Sequence, residues 1–398
     1  MNFSKINSRK AVDYLLMFLL ISISGNPFFS GELILIGVFS YACYIFIKRK
    51  NIFPRKIINF FILIVVITIF QSIKFSFFPI VTLLGVYIRI LTAYFVIRVI
   101  DFKFINYYVK TFYVIALTSF IFYLISNVAI NVLMPFSFDT SDGESLYARR
   151  SILGLFTFIH QHTFRNSGPF WEPGAFAGYL TLAFIFNFFS YLKNKKKIGM
   201  VLLIAILTTM STTAYLSIFV FSFFAFYKKI NNIIIKFIAV CVMIFGGYYS
   251  FTKIDFLGEK IVAQMSVLDE DVDLENSGSA RFLSVLKDIK DFDGHEIIGR
   301  GFHSETRFFY KIENQIRTVG LTDIIVKMGL PFFIIIMLML YHSLSSLLNF
   351  NNYNKKIFVV SSFLSILILL MSEVYFNYPL FWSFLFLKFV YPKKKRTI

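Results

Sequence analysis

The chain is poor in charge. Only 16% of its 398 residues are Asp, Glu, Lys or Arg, against 57% hydrophobic and 20% aromatic. Apolar runs of bilayer-spanning length recur along most of it, which excludes a water-facing globule. Cysteine is nearly missing: Cys43 and Cys241 both lie inside apolar segments, so neither a disulfide framework nor a Cys-type metal site is available, and both read as small packing residues. Walker, Rossmann and zinc-hydrolase signatures are absent, which removes cytosolic nucleotide chemistry. No internal repeat suggests a solenoid or a two-halved transporter. Acidic residues are scarce, 22 against 40 basic, for a formal charge of +18. That sum alone would suit nucleic acid, but the cations sit in short connecting loops, and no nucleic-acid partner is expected. The 54 phenylalanines carry no functional weight, because AT-rich codon usage supplies Phe, Ile, Lys and Asn together.

What is present is a series of about twelve candidate spans, at 12–29, 31–47, 57–73, 78–97, 107–130, 172–191, 198–210, 212–227, 233–251, 321–344, 357–373 and 376–391. The fold expected is an all-α, polytopic transmembrane helix bundle. Lys5, Arg9 and Lys10 before "AVDYLLMFLLISISG" resemble a signal peptide, but Asp13 interrupts the apolar stretch and many spans follow, so this reads as a retained first helix. Counting from a cytoplasmic N-terminus places "KRKNIFPRK", "RVIDFK", "KNKKK", "YKKINN", "NKK" and "PKKKR" all on the inner side, as the positive-inside rule requires. This needs the stretch from 198 to 227 to be a hairpin of two short helices around "TTMSTTAY", since one long helix would put "KKKR" outside.

Two outward segments are far longer than the other connections, 131–171 and 252–320, and long loops are where function concentrates. The domain reading is therefore a bundle over 1–251 that carries the outward loop 131–171, a large extracytoplasmic loop over 252–320, and C-terminal helices over 321–398. From Lys253 to Gly320 acidic residues outnumber basic ones, unlike the rest of the chain. Within it "SGSARFLSVLKDIKDFDG" predicts an amphipathic helix with Phe282, Val285, Leu286 and Ile289 on one face, Ser279 as N-cap and Asp293-Gly294 as the stop, suited to lying on a membrane surface.

The stretch "RNSGPFWEPGAFAGYL", 165–180, sets costly or disruptive residues at the lip of an apolar span. Pro173 after Glu172 marks a helix start, where the missing N–H has no partner to lose. Gly168 and Pro169 fold the preceding loop toward that positively polarised terminus, and Arg165 falls near the membrane boundary. Together these suit an anionic headgroup and a nearby hydroxyl. Arg89, in "VTLLGVYIRILTAYF", lies roughly 15 Å deep at helical rise and must face a partner or a wet cavity. Asp323 and Lys327, four apart, read as a helical ion pair. Arg281, Arg300, His303 and Arg307 are binding or proton-transfer candidates, whereas His160, His162, His295 and His303 show no metal-type spacing.

On these residues the chain resembles the O-antigen polymerase (Wzy) family and the related O-antigen ligases. The motifs are "RNSGPFWEPGAFAGYL" at a helix start, "SARFLSVLKDI" and "IIGRGF" in a later outward loop, and "GLTDIIVKMGLPFF" opening the next span. The resemblance implies a glycosyltransferase of the GT-C class in the bacterial inner membrane, multi-pass with cytoplasmic termini, joining undecaprenyl-pyrophosphate-linked repeat units at the outer face for O-antigen or a related surface polysaccharide. It further implies no metal or nucleotide cofactor, and partners comprising the lipid-linked glycan donor and acceptor, membrane lipids, a chain-length regulator and a flippase. Carried over by residue, Arg165, Gly168, Glu172 and Pro173 match the first motif, and Arg281 with Gly299-Arg300-Gly301 match the loop. Ligases carry a His-Asn pair shortly before the final glycine turn, where this chain has Thr318 and Val319. That departure favours the polymerase over the ligase, and a lipid-linked oligosaccharide flippase is the non-enzyme alternative.

The chemistry fits the inventory. Guanidinium groups stabilise a departing diphosphate by paired, charge-assisted hydrogen bonds better than ammonium groups do. Arg165, Glu172, Arg281 and His303 are the catalytic candidates, with Glu172 or His303 as the base for the attacking hydroxyl. Arg89, Gly168, Pro173 and Arg300 are the substrate-binding candidates.

Overall fold

A backbone in lipid satisfies its polar groups within each segment, so long apolar runs become helices. In the computed structural model the chain is mostly helical. The structure describes residues 3–140, 149–159, 164–227, 230–232, 234, 281–309, 317–351 and 356–391. Outside them lie the expected span 233–251 apart from Ile234, Cys241, the loop from 252 to 280 with its Ser279 cap, His160, His162, the terminal "PKKKR" and the side chains of Arg281 and Phe282.

The helices are α1 (Phe3–Ser22), α2 (Glu32–Lys48), α3 (Arg55–Lys74), α4 (Ile80–Ile100), α5 (Phe104–Val128), the single turn α6 (Ile130–Leu133), α7 (Pro173–Phe189), α8 (Lys195–Thr208) and α9 (Thr212–Tyr227). After them come α10 (Arg281–Phe292), α11 (Ser304–Arg307), α12 (Gly320–Met328), α13 (Leu330–Phe350), α14 (Lys356–Leu370) and α15 (Pro379–Leu385). By length and composition, three helical stretches among the described residues can cross a membrane: Arg55–Lys74, Ile80–Val128 and Leu330–Phe350. Asp101, at φ +60, divides the second of these. Pro173–Phe189, Thr212–Tyr227 and Lys356–Leu370 are shorter apolar helices.

The central element is α7. Every residue from Pro173 to Ala183 is buried, as expected of a helix that is apolar all round. It packs on α5, α8 and α9, while α14 lies along α9 and α2 along α4. The stretch from 198 to 227 is two helices, α8 and α9, that reverse at Met210 with φ +49.

Two expected spans need correction. The span expected at 321–344 is broken at Gly329, φ +81, into α12 and α13. The one expected at 376–391 is shorter and irregular, α15 flanked by 3₁₀ turns at Tyr375–Asn377 and Leu387–Phe389. The loop 131–171 holds a small antiparallel sheet of β1 (Phe138–Asp139), β2 (Arg149–Ile152) and β3 (Phe156–Ile159) in that order, within a chain that is otherwise mostly helical. Leu153 and Gly154, both at positive φ, close its hairpin. Ile152, Phe156 and Phe158 then pack with Leu133 in a separate apolar cluster.

Among the described residues, the chain around Arg49, Arg98, Phe102, Tyr191, Phe350 and Tyr391 meets at one end of the bundle. Arg49 pairs with Asp13 at 2.7 Å and donates to Val99 O, Arg98 donates to Phe389 O, the Tyr391 hydroxyl to Phe102 O and the Tyr191 hydroxyl to Phe350 O. The helix starts and turns at the opposite end enclose the cavity described next.

Candidate functional site

A cavity of about 490 Å³ opens between the α1–α2 turn, α4, Trp171 and the 376–378 turn. Three cations line it, Arg89 from α4, Arg149 from the start of β2 and Lys327 from the last turn of α12. Gly85, one turn before Arg89, leaves room for that guanidinium, since a Cβ there would stand 3.3 Å from Nη1. Among the described residues Arg89 donates no hydrogen bond and forms no ion pair, and its electrostatic neighbours are Tyr378 and Glu32. A half-buried arginine without a protein partner is costly in an apolar bundle unless an anion or water meets it.

The aromatic wall is fixed by backbone. Trp171 N donates to Gly25 O at 3.0 Å, a Cβ at Gly25 would overlap the indole, and the ring stacks on Tyr378 at 4.6 Å. The Tyr378 hydroxyl stands within electrostatic reach of Glu373, Glu172, Arg149 and Arg89. Both carboxylates face Gly174: a Cβ there would overlap Glu373 and lie 3.6 Å from Glu172 Oε1. Glu172 is the N-cap residue of α7 without a side-chain capping bond, so its carboxylate is turned to this cluster instead.

Lys327 connects the cavity to a buried charge network. Its Nζ lies 2.6 Å from Asp323 Oδ2 and donates to Asn377 Oδ1 at 2.9 Å. Asp323 Oδ1 receives Arg307 at 3.1 Å, and Arg307 also donates to Asp288 at 2.6 Å and Asp291 at 2.9 Å. Arg317 donates to the same two carboxylates, at 3.0 and 2.7 Å. Three aspartates thus meet two arginines and a lysine. Burial opposes the charge on Arg307, but Asp323, Asp288 and Asp291 overcome it and hold its pKa above the ordinary value. Burial pushes the Asp288 carboxyl up, against the pull of Arg307.

This network takes up the polar face of α10. Ser284, Lys287, Asp288 and Asp291 are buried and Ile289 is exposed: Asp288 and Asp291 meet Arg307 and Arg317, and Ser284 accepts from Thr318 N. The helix lies against α12. It ends at Phe292, with Gly294 at φ +71.

The "IIGRGF" and "KMGLP" stretches interlock through backbone. Arg300 N donates to Val326 O at 2.7 Å and Gly301 N to Lys327 O at 3.0 Å, which caps the end of α12. Gly299, at φ +70, has Gly329 N and Val326 O each 2.6 Å from where a Cβ would stand. Gly299→Ala is therefore expected to destabilise the protein by about 1–3 kcal/mol, measured as a lowered melting temperature in detergent, with Gly294→Ala, which meets open space, showing the smaller backbone cost alone.

The remaining sequence candidates sit apart from the cavity wall. Arg165 donates to Thr209 O and Met210 O at 3.1 and 3.4 Å, and Asn166 bonds Thr208 and Ser119, so this segment ties down the α8–α9 turn. Gly168, at φ +50, has the Phe176 ring where a Cβ would go, and Pro173 opens α7. Arg300 donates to Thr306 O and Phe308 O at 2.7 and 3.3 Å. His303 accepts from Glu305 N through Nδ1 and packs on Phe77.

The structure brings Arg89 and Glu172 to one region and adds Arg149, Lys327 and Glu373. The "RR" pair at 149–150 held a usable signal: in a strand, alternation sends one arginine each way, and Arg150 indeed turns off to Ser137. The arrangement can neutralise two or three negative charges beside a carboxylate pair. Compared with protein-family models, curated proteins and solved structures, the chain matches none.

Proposed function

We propose that the chain is a bacterial inner-membrane glycosyltransferase of GT-C-like architecture, with about twelve spans. It polymerises undecaprenyl-pyrophosphate-linked oligosaccharide repeat units, the activity of the O-antigen polymerase family it resembles. The observation that carries this reading is Arg89, a guanidinium lining a cavity with Arg149 and Lys327 and without a bonded partner among the described residues. Basic loops at the opposite end favour a cytoplasmic location for that end and for both termini, which leaves the cavity at the outer face.

In this reaction the bond from the sugar C1 to the diphosphate oxygen breaks and a bond from C1 to an acceptor hydroxyl oxygen forms. Arg89, Arg149 and Lys327 take up the charge of the leaving diphosphate in a site of low dielectric. The acceptor proton goes to Glu172, the base candidate beside the cavity, in preference to His303. Arg165 and Arg300 keep their guanidinium groups on backbone carbonyls and shape the loops around the site.

Deletion of the gene is the test. The expected product is surface glycan of a single repeat. Full-length polymer left on its lipid carrier would identify a ligase, and lipid-linked units trapped on the cytosolic leaflet a flippase.

A further inference from the structure

We infer that Asp323 is a positioning residue through which the 281–309 segment sets the cation at the cavity wall, so that anion capture in the cavity and docking of that segment are thermodynamically coupled. This rests on the reading that the cavity accepts a diphosphate. The two oxygens of one carboxylate serve different sites: Oδ1 receives Arg307 at 3.1 Å and Oδ2 holds Lys327 Nζ at 2.6 Å. Arg307 does not line the cavity, whereas Lys327 does.

An ammonium group has three donors. Asn377 accepts from one of them and Asp323 holds the group as an ion pair, which leaves donor capacity for a ligand. Alone with Lys327, Asp323 would hold the ammonium along the helix surface as an ordinary i, i+4 pair. With Arg307 sharing the carboxylate and Asn377, itself on the cavity wall, accepting from Nζ, the lysine is held at the cavity. The backbone follows the same path. Arg300 N and Gly301 N cap the last carbonyls of α12, so undocking of the segment uncaps the turn that carries Lys327. An anion that needs Lys327 in place must favour the docked segment by the same factor as docking favours the anion.

The experiment uses the full-length protein in lipid nanodiscs with farnesyl diphosphate as probe, reading its Kd together with hydrogen exchange over 281–309. Arg307→Met and Asp323→Asn are each expected to weaken the probe by about tenfold or more, the worth of one charge-assisted hydrogen bond. Arg307→Lys is expected to recover part of the affinity. The probe is expected to slow exchange in α10 and at 298–301 in the wild type, and to do so less in Lys327→Met, whose segment stays docked without ligand. Wild-type affinity in both Arg307→Met and Asp323→Asn, or exchange over 281–309 indifferent to the probe, overturns the coupling. Failure of the underlying reading looks different: the wild type does not bind the probe, or Arg89→Ala binds it unchanged. If exchange in α3 and α4 shows that Arg307→Met has lost its fold, the Asp323→Asn comparison alone decides.

Discussion

Arg89→Ala is expected to reduce polymerisation by about 100-fold or more, the loss typical of removing one donor to a charge that develops in the transition state, while the protein stays folded in the membrane. The two halves of this outcome have one cause. Arg89 makes no hydrogen bond or ion pair among the described residues, so its removal breaks no protein contact of that kind, and it relieves the cost of holding a guanidinium in an apolar bundle. Stability should be unchanged or slightly higher, the trade seen where a site is kept at the fold's expense. Arg89→Lys is expected to restore only part of the activity, because an ammonium lacks the planar fork that meets two phosphate oxygens at once. The measurement is the surface-glycan ladder on a gel, paired with a melting curve of the purified variant. A normal ladder, or a large drop in melting temperature, would make Arg89 a packing residue.

The opposite pairing is expected at Asp291. Its carboxylate is fully buried and accepts from Arg307, from Arg317 and from Phe309 N at 2.9, 2.7 and 2.6 Å. Asp291→Ala leaves two guanidinium groups with one shared carboxylate fewer and strands a backbone donor. Breaking a buried pair from one side costs about 3–5 kcal/mol, and here the loss falls on the docking of α10 against α12. Limited proteolysis in proteoliposomes should show new cleavage within 281–309, and activity should fall with it. Resistance equal to the wild type would show that the network contributes nothing to docking.

How much of this was legible in the sequence follows the range of each signal. Hydropathy finds α3, α4, α5 and α13 because a membrane-length apolar run is a local property. The reversal between α8 and α9 is also visible, since charge in the later loops requires it. The start of α7 is marked by Pro173 itself. Other features depend on residues far apart in the chain. Nothing within "KMGLP" shows that Gly329 breaks the helix because the 297–299 backbone lies against it. The amphipathic pattern of α10 shows two faces, but not that Asp288 and Asp291 on the polar one meet Arg307 and Arg317, which lie 16 to 29 residues further along the chain. Lys327 reads as half of a helical pair, and so it is, but its second partner, Asn377, lies fifty residues on. Arg149, Lys327 and Glu373 meet Arg89 and Glu172 only through tertiary packing.

Helices of 14 and 16 residues reach only about 21 and 24 Å, against roughly 30 Å of hydrocarbon. On the topology proposed above, in which α8 and α9 are spans, the lipid flanking them is pinched by several ångströms or the bend at Met210 sits below the headgroups with Arg165 as its cation. On that topology the membrane beside the buried helix α7 forms a shallow trough, where the isoprenoid tail of the proposed substrate would meet less depth to cross than elsewhere around the bundle.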